Sequence, residues 1–464
     1  MKGILPSEDI LIFEFGSEDG KKFACAYADG VADKNMIGEL VIKPLRAAGV
    51  KDGKELARLL ANPDVKECKT LKEGADAVSD GNALLMMDGE KQMFIIGVKN
   101  PPQRAVAEPP TQINIKGPRE GFTEDVKTNL GLVRKRIKSE NFKVKTITVG
   151  KQSKTAIAIC YIEGVCPDGI VEKIEERITS QEIDIVPDSS YIASFLSKKP
   201  RSLFKRNATS EKPDVFSAKI CEGRVGIIVD GSPIALTVPY MVVEDFQESE
   251  DYFVVNYRAV IIRILRVAAV VIGIMLPAVY VCAQLFKIQL IPTKLLFKIA
   301  SSVEGIPLSP SVEIFFTLFV LEILNEASIR MPKYVGLALS VVGALVLGDT
   351  AVKAGIISTP AVIIIAFSAI CLYTVPDFVE TSTTLRLLYL IIAGSLGMYG
   401  LVILSAYLIC YLCGEEDYGV PLMAPYSPII FRDMRDAVYK ANVFDLAKRP
   451  KAMNLKNKTR LKKK

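Results

Sequence analysis

The sequence predicts an α/β soluble N-terminal region of two subdomains, followed by an all-α polytopic membrane domain. One observation is the uncharged run VAAVVIGIMLPAVYVCAQLF at Val267 to Phe286, which is long enough to cross a bilayer as a helix. Another is that more than half of the chain precedes this run and alternates short apolar strands with amphipathic helices. Further apolar segments then follow before Gly414.

The first predicted subdomain covers residues 1–100. The segments DILIFEF and FACAYA alternate apolar and polar residues around the turn GSEDGKK, and MIGELVIKPLRAAG has the period of a helix. ALLMMDGEKQMFIIGV forms a second predicted hairpin with its turn at Asp88 and Gly89. A proline-rich join, NPPQRAVAEPP, marks the boundary of this subdomain.

The second predicted subdomain covers residues 111–250. Helices are predicted at 122–139, 169–180 and 188–198. FKVKTITVG pairs with TAIAICYIEG as one hairpin, and GRVGIIVDGSPIALTVP forms another. The GKQSKT segment between the first two strands resembles a phosphate loop, but it lacks the required glycine spacing and opens no helix. It is interpreted as a hairpin turn.

The predicted membrane domain covers residues 258–414. Spans are predicted at 267–286, 334–352, 361–376 and 387–412. The segment 311–330 is also long enough to cross, but four charged residues make it costly in hydrocarbon. With both termini on one side the number of crossings is even, so this segment is expected to be interfacial, re-entrant or buried against partners.

Charge predicts the orientation of the chain. The formal net charge is +6, and residues 448–464 hold nine Lys and Arg with no acid, so the rest of the chain carries −3. Residues 431–464 are therefore predicted to be a basic cytoplasmic tail rather than a nucleic-acid-binding face. The first nine residues lack the pattern of a signal peptide, so the N-terminus is expected to be cytoplasmic too.

Composition excludes several functional classes. The chain has no His, which removes Ser-His-Asp and Cys-His catalysis and imidazole metal sites. Its nine cysteines are scattered, which is typical of a reduced compartment. We predict neither an enzyme nor a metal or cofactor site.

Charged and amide residues near the end of the segment 311–330 are the first candidates for an ion path. At 100° per residue Glu322, Asn325, Glu326 and Arg330 share one helix face. A wall of an ion path and an internally paired structural stripe, with Glu326 bound to Arg330, remain equally open at this point.

Asp349 is the other ion-path candidate, because a carboxylate in an apolar helix must be paired, hydrated or protonated. Lys353 is its alternative, structural partner. Next to it, a ladder of small residues at every fourth position predicts close helix packing. The ladder consists of Gly336, Ser340, Ala344 and Gly348.

Several segments, in order, resemble the A subunit of the GerA family of spore germinant receptors. They include YADGVAD at 27–33, GPREGFTEDVKTNLGLVRKRI at 117–137, EKPDVFSAKICEGRVGIIVDGSPIALTVP at 211–239, NEASIRMPKYVG at 325–336, GALVLGDTAVKAGIIS at 343–358 and YGVPLMAPYSP at 418–428. The family pattern often has Arg at the position of Lys212 and Gln at the position of Asp349.

The resemblance implies a receptor subunit in the inner membrane of a bacterial endospore. It implies partners as well: a B subunit similar to amino-acid permeases, to which nutrient recognition mainly belongs, and a lipoprotein C subunit. The membrane domain is expected to form a homo-oligomer around an ion path, in contact with membrane lipid. The alternatives are a solute transporter acting alone, for which the sequence lacks internal symmetry and a pair of broken helices, and a non-conducting scaffold.

Overall fold

The computed structural model describes residues 7–47, 56, 59–60, 64–90, 92–98, 109, 112, 116–199, 202–332, 343, 348–437, 440–442 and 445–461. The chain divides into two compact units. The N-terminal unit contains residues 1–244, 248–254 and 416–464, and the helical unit contains residues 245–247 and 255–415.

The first subdomain of the N-terminal unit is built on a five-stranded antiparallel sheet with the order β1-β2-β4-β5-β3. The strands are β1 (Ile10–Gly16), β2 (Lys22–Ala28), β3 (Val65–Cys68), β4 (Ala83–Met87) and β5 (Met93–Ile96). One face of the sheet is covered by α1 (Lys34–Ile37), a π-helical turn (Gly38–Ile42) and α2 (Lys43–Ala47), which bury Ile37, Val41 and Leu45. The other face packs on α3 (Leu71–Ser79), through Ala75 and Val78.

The second subdomain repeats this architecture. Its antiparallel sheet has the order β6-β7-β9-β10-β8, which is the same order when the strands are counted from one. The strands are β6 (Phe142–Val149), β7 (Thr155–Ile162), β8 (Ala208–Ser210), β9 (Val225–Val229) and β10 (Ala235–Val238). The helices are α4 (Val126–Arg136), α5 (Ile170–Thr179), α6 (Ser189–Leu196) and α7 (Pro213–Cys221). In the described residues of both subdomains, helical segments follow the first hairpin, a short edge strand comes next, and one helix precedes the second hairpin, so the N-terminal unit contains a structural repeat.

A buried ion pair joins the two subdomains. Arg134 Nε and Nη2 donate to the two carboxylate oxygens of Asp9 at 2.8 and 2.9 Å, and both side chains are almost fully buried. Gly30 also approaches the backbone of Lys127 so closely that a Cβ would collide with the Lys127 carbonyl. The two-bond ion pair of Arg134 with Asp9 and this backbone contact hold the subdomains in one arrangement.

The segment after the helical unit folds against the second subdomain. Its short strands β11 (Glu416–Asp417) and β12 (Val420–Pro421) pair with each other, and α13 (Met434–Ala437) follows. Leu455 is buried against Gly223, and Arg449 Nε donates to the Cys221 carbonyl at 3.0 Å. The described part of residues 431–464, interpreted from sequence as a basic tail, is thus packed into the N-terminal unit.

The helical unit consists of long apolar helices and shorter connecting ones. They are α8 (Asn256–Leu285), α9 (Thr293–Val303), α10 (Pro310–Arg330), α11 (Thr359–Leu372) and α12 (Val379–Cys413). α8 begins eleven residues before the predicted span, and α11 is only about 21 Å long at 1.5 Å per residue. Most of the predicted span 334–352 lies outside the described residues.

The α12 helix reverses direction at Gly397. This residue has φ 62° and ψ −148°, a conformation that L residues with a Cβ rarely adopt, and its neighbours on both sides are helical. The Tyr389 hydroxyl lies 2.9 Å from the Ser405 hydroxyl, although sixteen residues of straight helix would separate them by about 24 Å. The predicted single span at 387–412 is therefore corrected to two arms, 379–396 and 398–413, folded side by side.

Contacts along α8 give the direction of its neighbours. Ser358 and Ser368 of the α11 segment lie near Tyr280 and Gly273 respectively, so α11 runs antiparallel to α8. The first arm of α12 runs parallel to α8, because Arg386 contacts Ser368 while Gly397 lies at Phe286.

The α10 helix also runs antiparallel to α8. Glu313 lies near Tyr280, close to the C-terminal end of α8. Glu322 binds Arg386, which is linked through Ser368 to Gly273 nearer the middle of α8. The segment 311–330, for which an interfacial or buried position was expected, thus lies lengthwise in the bundle.

Candidate functional site

An ion pair between a buried arginine and a half-buried glutamate lies inside the helical unit. Arg386 Nη2 donates to Glu322 Oε1 at 2.5 Å, and the Arg386 side chain is 2% exposed. Arg386 Nη1 donates to Ser368 Oγ at 3.1 Å, and Ser368 in turn donates to the Gly273 carbonyl at 2.6 Å. The chain of bonds links α8, α10, α11 and the first arm of α12, and it keeps a guanidinium paired in apolar surroundings.

Glu322 is thus a predicted site residue whose partner was not identified from sequence. Arg386 directly precedes the predicted span 387–412, and no role is predicted for it from the sequence. The helix in fact begins at Val379, which places Arg386 two turns inside. The sequence does contain a signal for this position. An arginine next to an apolar run lies inside the helix when the helix begins before the run.

The other predicted residues on α10 are more exposed. Glu326 and Arg330 form an i,i+4 ion pair in which their side chains are 60% and 78% exposed. Asn325 is half-buried, and its side chain contacts Tyr373. The face predicted from helical period therefore divides into a half-buried end at Glu322 and an exposed end at Arg330.

Asp349 pairs with Lys353 at 2.5 Å, as the structural alternative expects, and the two side chains are 56% and 72% exposed. Of the small-residue ladder, Gly336, Ser340 and Ala344 lie outside the described residues. Gly348 has no described atom within 4 Å of the place where a Cβ would stand. Its ladder face is open in the part of this single chain that the structure describes.

A second polar cluster lies at the far end of the helical unit. Glu313, in the first turn of α10, is fully buried and accepts a 2.5 Å hydrogen bond from the Ser358 backbone N–H. Ser358 is the N-cap of α11 and accepts from the Ala361 N–H at 3.3 Å. Tyr280 hydrogen-bonds with the Ser358 side chain and lies near Glu313, and its hydroxyl accepts from Gln284 Nε2 at 2.8 Å. We did not predict this cluster from sequence.

The arrangement provides paired and exposed charges rather than an activated nucleophile. Burial raises the pKa of the Cys25 and Cys166 thiols to about 12, so both are protonated at neutral pH. Burial also lowers the pKa of Lys143 despite the neighbouring Glu163 carboxylate. Lys143 belongs to the second sheet and is almost completely covered, so it offers no open reaction site.

Known proteins resemble this chain over nearly its full length. A family model described as Bacillus/Clostridium GerA spore germination protein matches residues 2–452. Spore germination protein KA of Bacillus subtilis (strain 168) is 35% identical over 99% of this chain and 86% of its own length. Spore germination protein B1 of the same strain is 31% identical over 96% of this chain and 93% of its own. Spore germination protein GerQA of Bacillus cereus is 28% identical over 97% and 91%.

Among solved structures, a match is the crystal structure of the N-terminal domain of the A subunit of the Bacillus megaterium spore germinant receptor GerK3. It has 24% sequence identity and a TM-score of 0.38, and it covers 51% of this chain and 91% of that one. The family expected from the sequence segments is confirmed by the match over residues 2–452 and by the full-length relatives. The chain belongs to the GerA family of spore germination proteins, as an A-type subunit.

Proposed function

We propose that this chain is the membrane subunit of a nutrient germinant receptor, and that copies of it form an ion-conducting channel coupled to a ligand-binding partner subunit. A role in spore germination follows from its family and relatives. Conduction, oligomerisation and the partners are our proposal. The transporter and scaffold alternatives are tested with it.

The observation that carries the proposal is the exposure of charged side chains within an apolar helical unit. Glu326 and Arg330 are more than half exposed on α10, and so are Asp349 and Lys353. Such side chains are costly against lipid tails, so a membrane helix directs them to water or to another protein chain. A ring of chains that turns these charges toward its centre satisfies both requirements and creates a hydrated path.

Membrane insertion is supported by two apolar segments. Asn256–Leu285 is long and apolar enough to cross a bilayer as one helix, and the largely apolar segment Pro376–Cys413 contributes the two arms of α12. α8 and the first arm of α12 run one way, while α10, α11 and the second arm run the other. The chain would therefore leave the helical unit on the side where it entered, with both termini on the core side of the spore inner membrane.

The oligomer is supported by the open face at Gly348, where nothing described in the same chain packs. A small residue on an open helix face allows close approach of a neighbouring membrane helix. Other members of the ladder, Gly336, Ser340 and Ala344, would extend this contact. We also propose a permease-like B subunit and a lipoprotein C subunit as partners, because relatives of this chain are A-type subunits of germinant receptors.

Spores provide the direct test. In spores that lack this chain, a copy carrying both Glu326→Gln and Arg330→Gln should slow nutrient-triggered ion release while the receptor still assembles. The matched control is Glu39→Gln with Lys43→Gln, another exposed i,i+4 pair, which lies in the N-terminal unit and should leave release unchanged. Equal release in both variants would contradict the ion path, and loss of the receptor itself would favour the scaffold.

A further inference from the structure

Four oxygen-bearing side chains meet at the far end of the helical unit, and two of their oxygens lack a donor. We call Tyr280, Gln284, Glu313 and Ser358 the distal oxygen cluster. Glu313 Oε2 and Gln284 Oε1 are both buried, and neither has a hydrogen-bond partner among the described residues. Both residues belong to one connected group, since Gln284 donates to the Tyr280 hydroxyl, Tyr280 hydrogen-bonds with the Ser358 side chain, and the Ser358 backbone N–H donates to Glu313.

Unpartnered oxygens of this kind are unusual. A buried acceptor without a donor costs about 1–3 kcal/mol, and an isolated buried carboxylate costs more. Native proteins therefore satisfy nearly all such groups with protein, water or a bound ion. Because two acceptors occur together here and one belongs to a carboxyl group, the cluster is deficient in positive charge.

Local dipoles point their positive ends at one oxygen of the Glu313 carboxyl group. Glu313 Oε1 accepts a short bond from the Ser358 N–H at the N-terminus of α11, a fourteen-residue helix. Hydrogen bonds from backbone N–H groups and the positive end of a helix dipole both stabilise a negative charge. The other oxygen, Glu313 Oε2, is buried without a hydrogen-bond donor among the described residues.

We propose that the distal oxygen cluster binds a monovalent alkali-metal cation, sodium or potassium, with Glu313 as its charged ligand and Gln284 as a neutral ligand. Carboxylate, amide and hydroxyl oxygens are the ligands that hard cations prefer. One carboxylate matches a single positive charge, whereas divalent sites usually gather more acids. The cluster also adjoins the C-terminal end of α8, whose last carbonyls carry partial negative charge.

This site lies apart from the exposed charges on which the proposed ion path rests. The site is part of the proposed ion path only if the bound ion is also conducted. Ion binding can be measured without measuring ion flux. Failure of the site and failure of conduction are therefore distinguishable. In a conducting oligomer it would hold an ion at the bundle end opposite to Arg330.

The test measures binding to the full-length chain in detergent or nanodiscs. Radioactive rubidium, a substitute for potassium, should bind saturably, and sodium or potassium should displace it. Thermal stability should rise with potassium or sodium chloride but not with N-methylglucamine chloride at equal ionic strength, because a ligand that binds only the folded state stabilises it.

Glu313→Gln keeps the shape of the side chain and removes its charge, and it should weaken rubidium binding by about tenfold or more. The control Glu304→Gln removes an exposed charge in the same unit and should bind as the wild type does.

A second variant covers the case in which Glu313→Gln fails to fold. Gln284→Met removes the neutral ligand oxygen at similar volume and should also weaken rubidium binding. Wild-type protein whose stability depends on pH but not on alkali cations would overturn the proposal in favour of a bound proton. Unchanged rubidium affinity in either folded variant would overturn it as well.

Discussion

The Arg386 guanidinium and the Glu322 carboxylate, 64 residues apart in sequence, form a 2.5 Å ion pair across two helices of the helical unit. Arg386 is buried, and its second amino group bonds Ser368. The pair couples the helix that carries the exposed charges to the hairpin of α12. Glu322 is therefore held in place by a partner, whereas Glu326 and Arg330 are exposed in the single chain.

Removing the arginine of this pair should destabilise the helical unit. Arg386→Met leaves Glu322, whose side chain is 37% exposed, without its partner. The cost should therefore lie between that of an exposed pair, less than about 1 kcal/mol, and the about 3–5 kcal/mol of a fully buried pair. Thermal unfolding of the full chain in detergent measures the loss. Arg330→Met, at an exposed pair, should cost less than about 1 kcal/mol. Equal effects would show that the buried pair contributes no more than the exposed one.

The reversal of α12 can be tested by crosslinking. In a cysteine-free background, Tyr389→Cys with Ser405→Cys should be joined by a short bismaleimide, because the native side chains touch at 2.9 Å. A control pair, Glu380→Cys with Ser405→Cys, is offset by about 13 Å along the two arms and should react poorly. A peptide map without the crosslink between positions 389 and 405 would indicate a straight helix and contradict the reversal at Gly397.

Gly30 should tolerate no side chain because a Cβ would collide with a neighbouring backbone. A comparison with Gly20, which has the same φ but no close neighbour, separates this collision from backbone strain. Gly20 and Gly30 both have φ of 80°, but only at Gly30 would a Cβ collide, with the Lys127 carbonyl of the second subdomain. Gly20→Ala should cost about 1 kcal/mol from backbone strain alone. Gly30→Ala should cost distinctly more and increase proteolysis between the subdomains. Matching melting temperatures in the two variants would mean that the contact at Lys127 does not constrain the subdomains.

Cysteine labelling can test the proposed orientation. Asn457 is exposed on the N-terminal unit, which we propose lies on the core side of the membrane. In sealed, right-side-out membranes the membrane should therefore protect Asn457→Cys from an impermeant reagent, and the cysteine should react after permeabilisation. Tyr257→Cys, beside the first residue of α8 and 84% exposed, should behave the same way. Ready labelling in sealed membranes would reverse the orientation.

Much of the N-terminal unit is predictable because its signals are local. Alternation over seven or eight residues predicts β1, β2, β6 and β7, and the turns at Asp88–Gly89 and Asp230–Gly231 lie between paired strands. The GKQSKT segment is confirmed as a turn between β6 and β7. The edge strands β3 and β8 have only four and three residues, too few to show a period. Helix α7 was missed although Pro213 at its start and Asp214 in its first turn are start signals.

The helical unit is less predictable because its determining contacts are distant in sequence. Apolar length alone cannot distinguish one helix from two arms, and the signal for reversal is the cluster of Gly394, Gly397 and Gly400. The partner of Glu322 depends on how α10 and α12 pack, which no periodicity encodes. The donor to Glu313 is a backbone N–H, which every residue but proline carries. No side-chain motif can therefore predict this hydrogen bond.

The most direct measurement of the central claim is cation flux from liposomes that contain the purified full-length chain. We predict cation-selective efflux above that of empty liposomes, and a lower flux or selectivity with Asp349→Asn at equal protein abundance, because that change removes a negative charge from the path. Glu304→Gln, an exposed charge outside the predicted path, should leave flux unchanged. A fall in folded protein instead would mean that Asp349 serves to pair Lys353. Wild-type efflux no greater than that of empty liposomes would contradict the account.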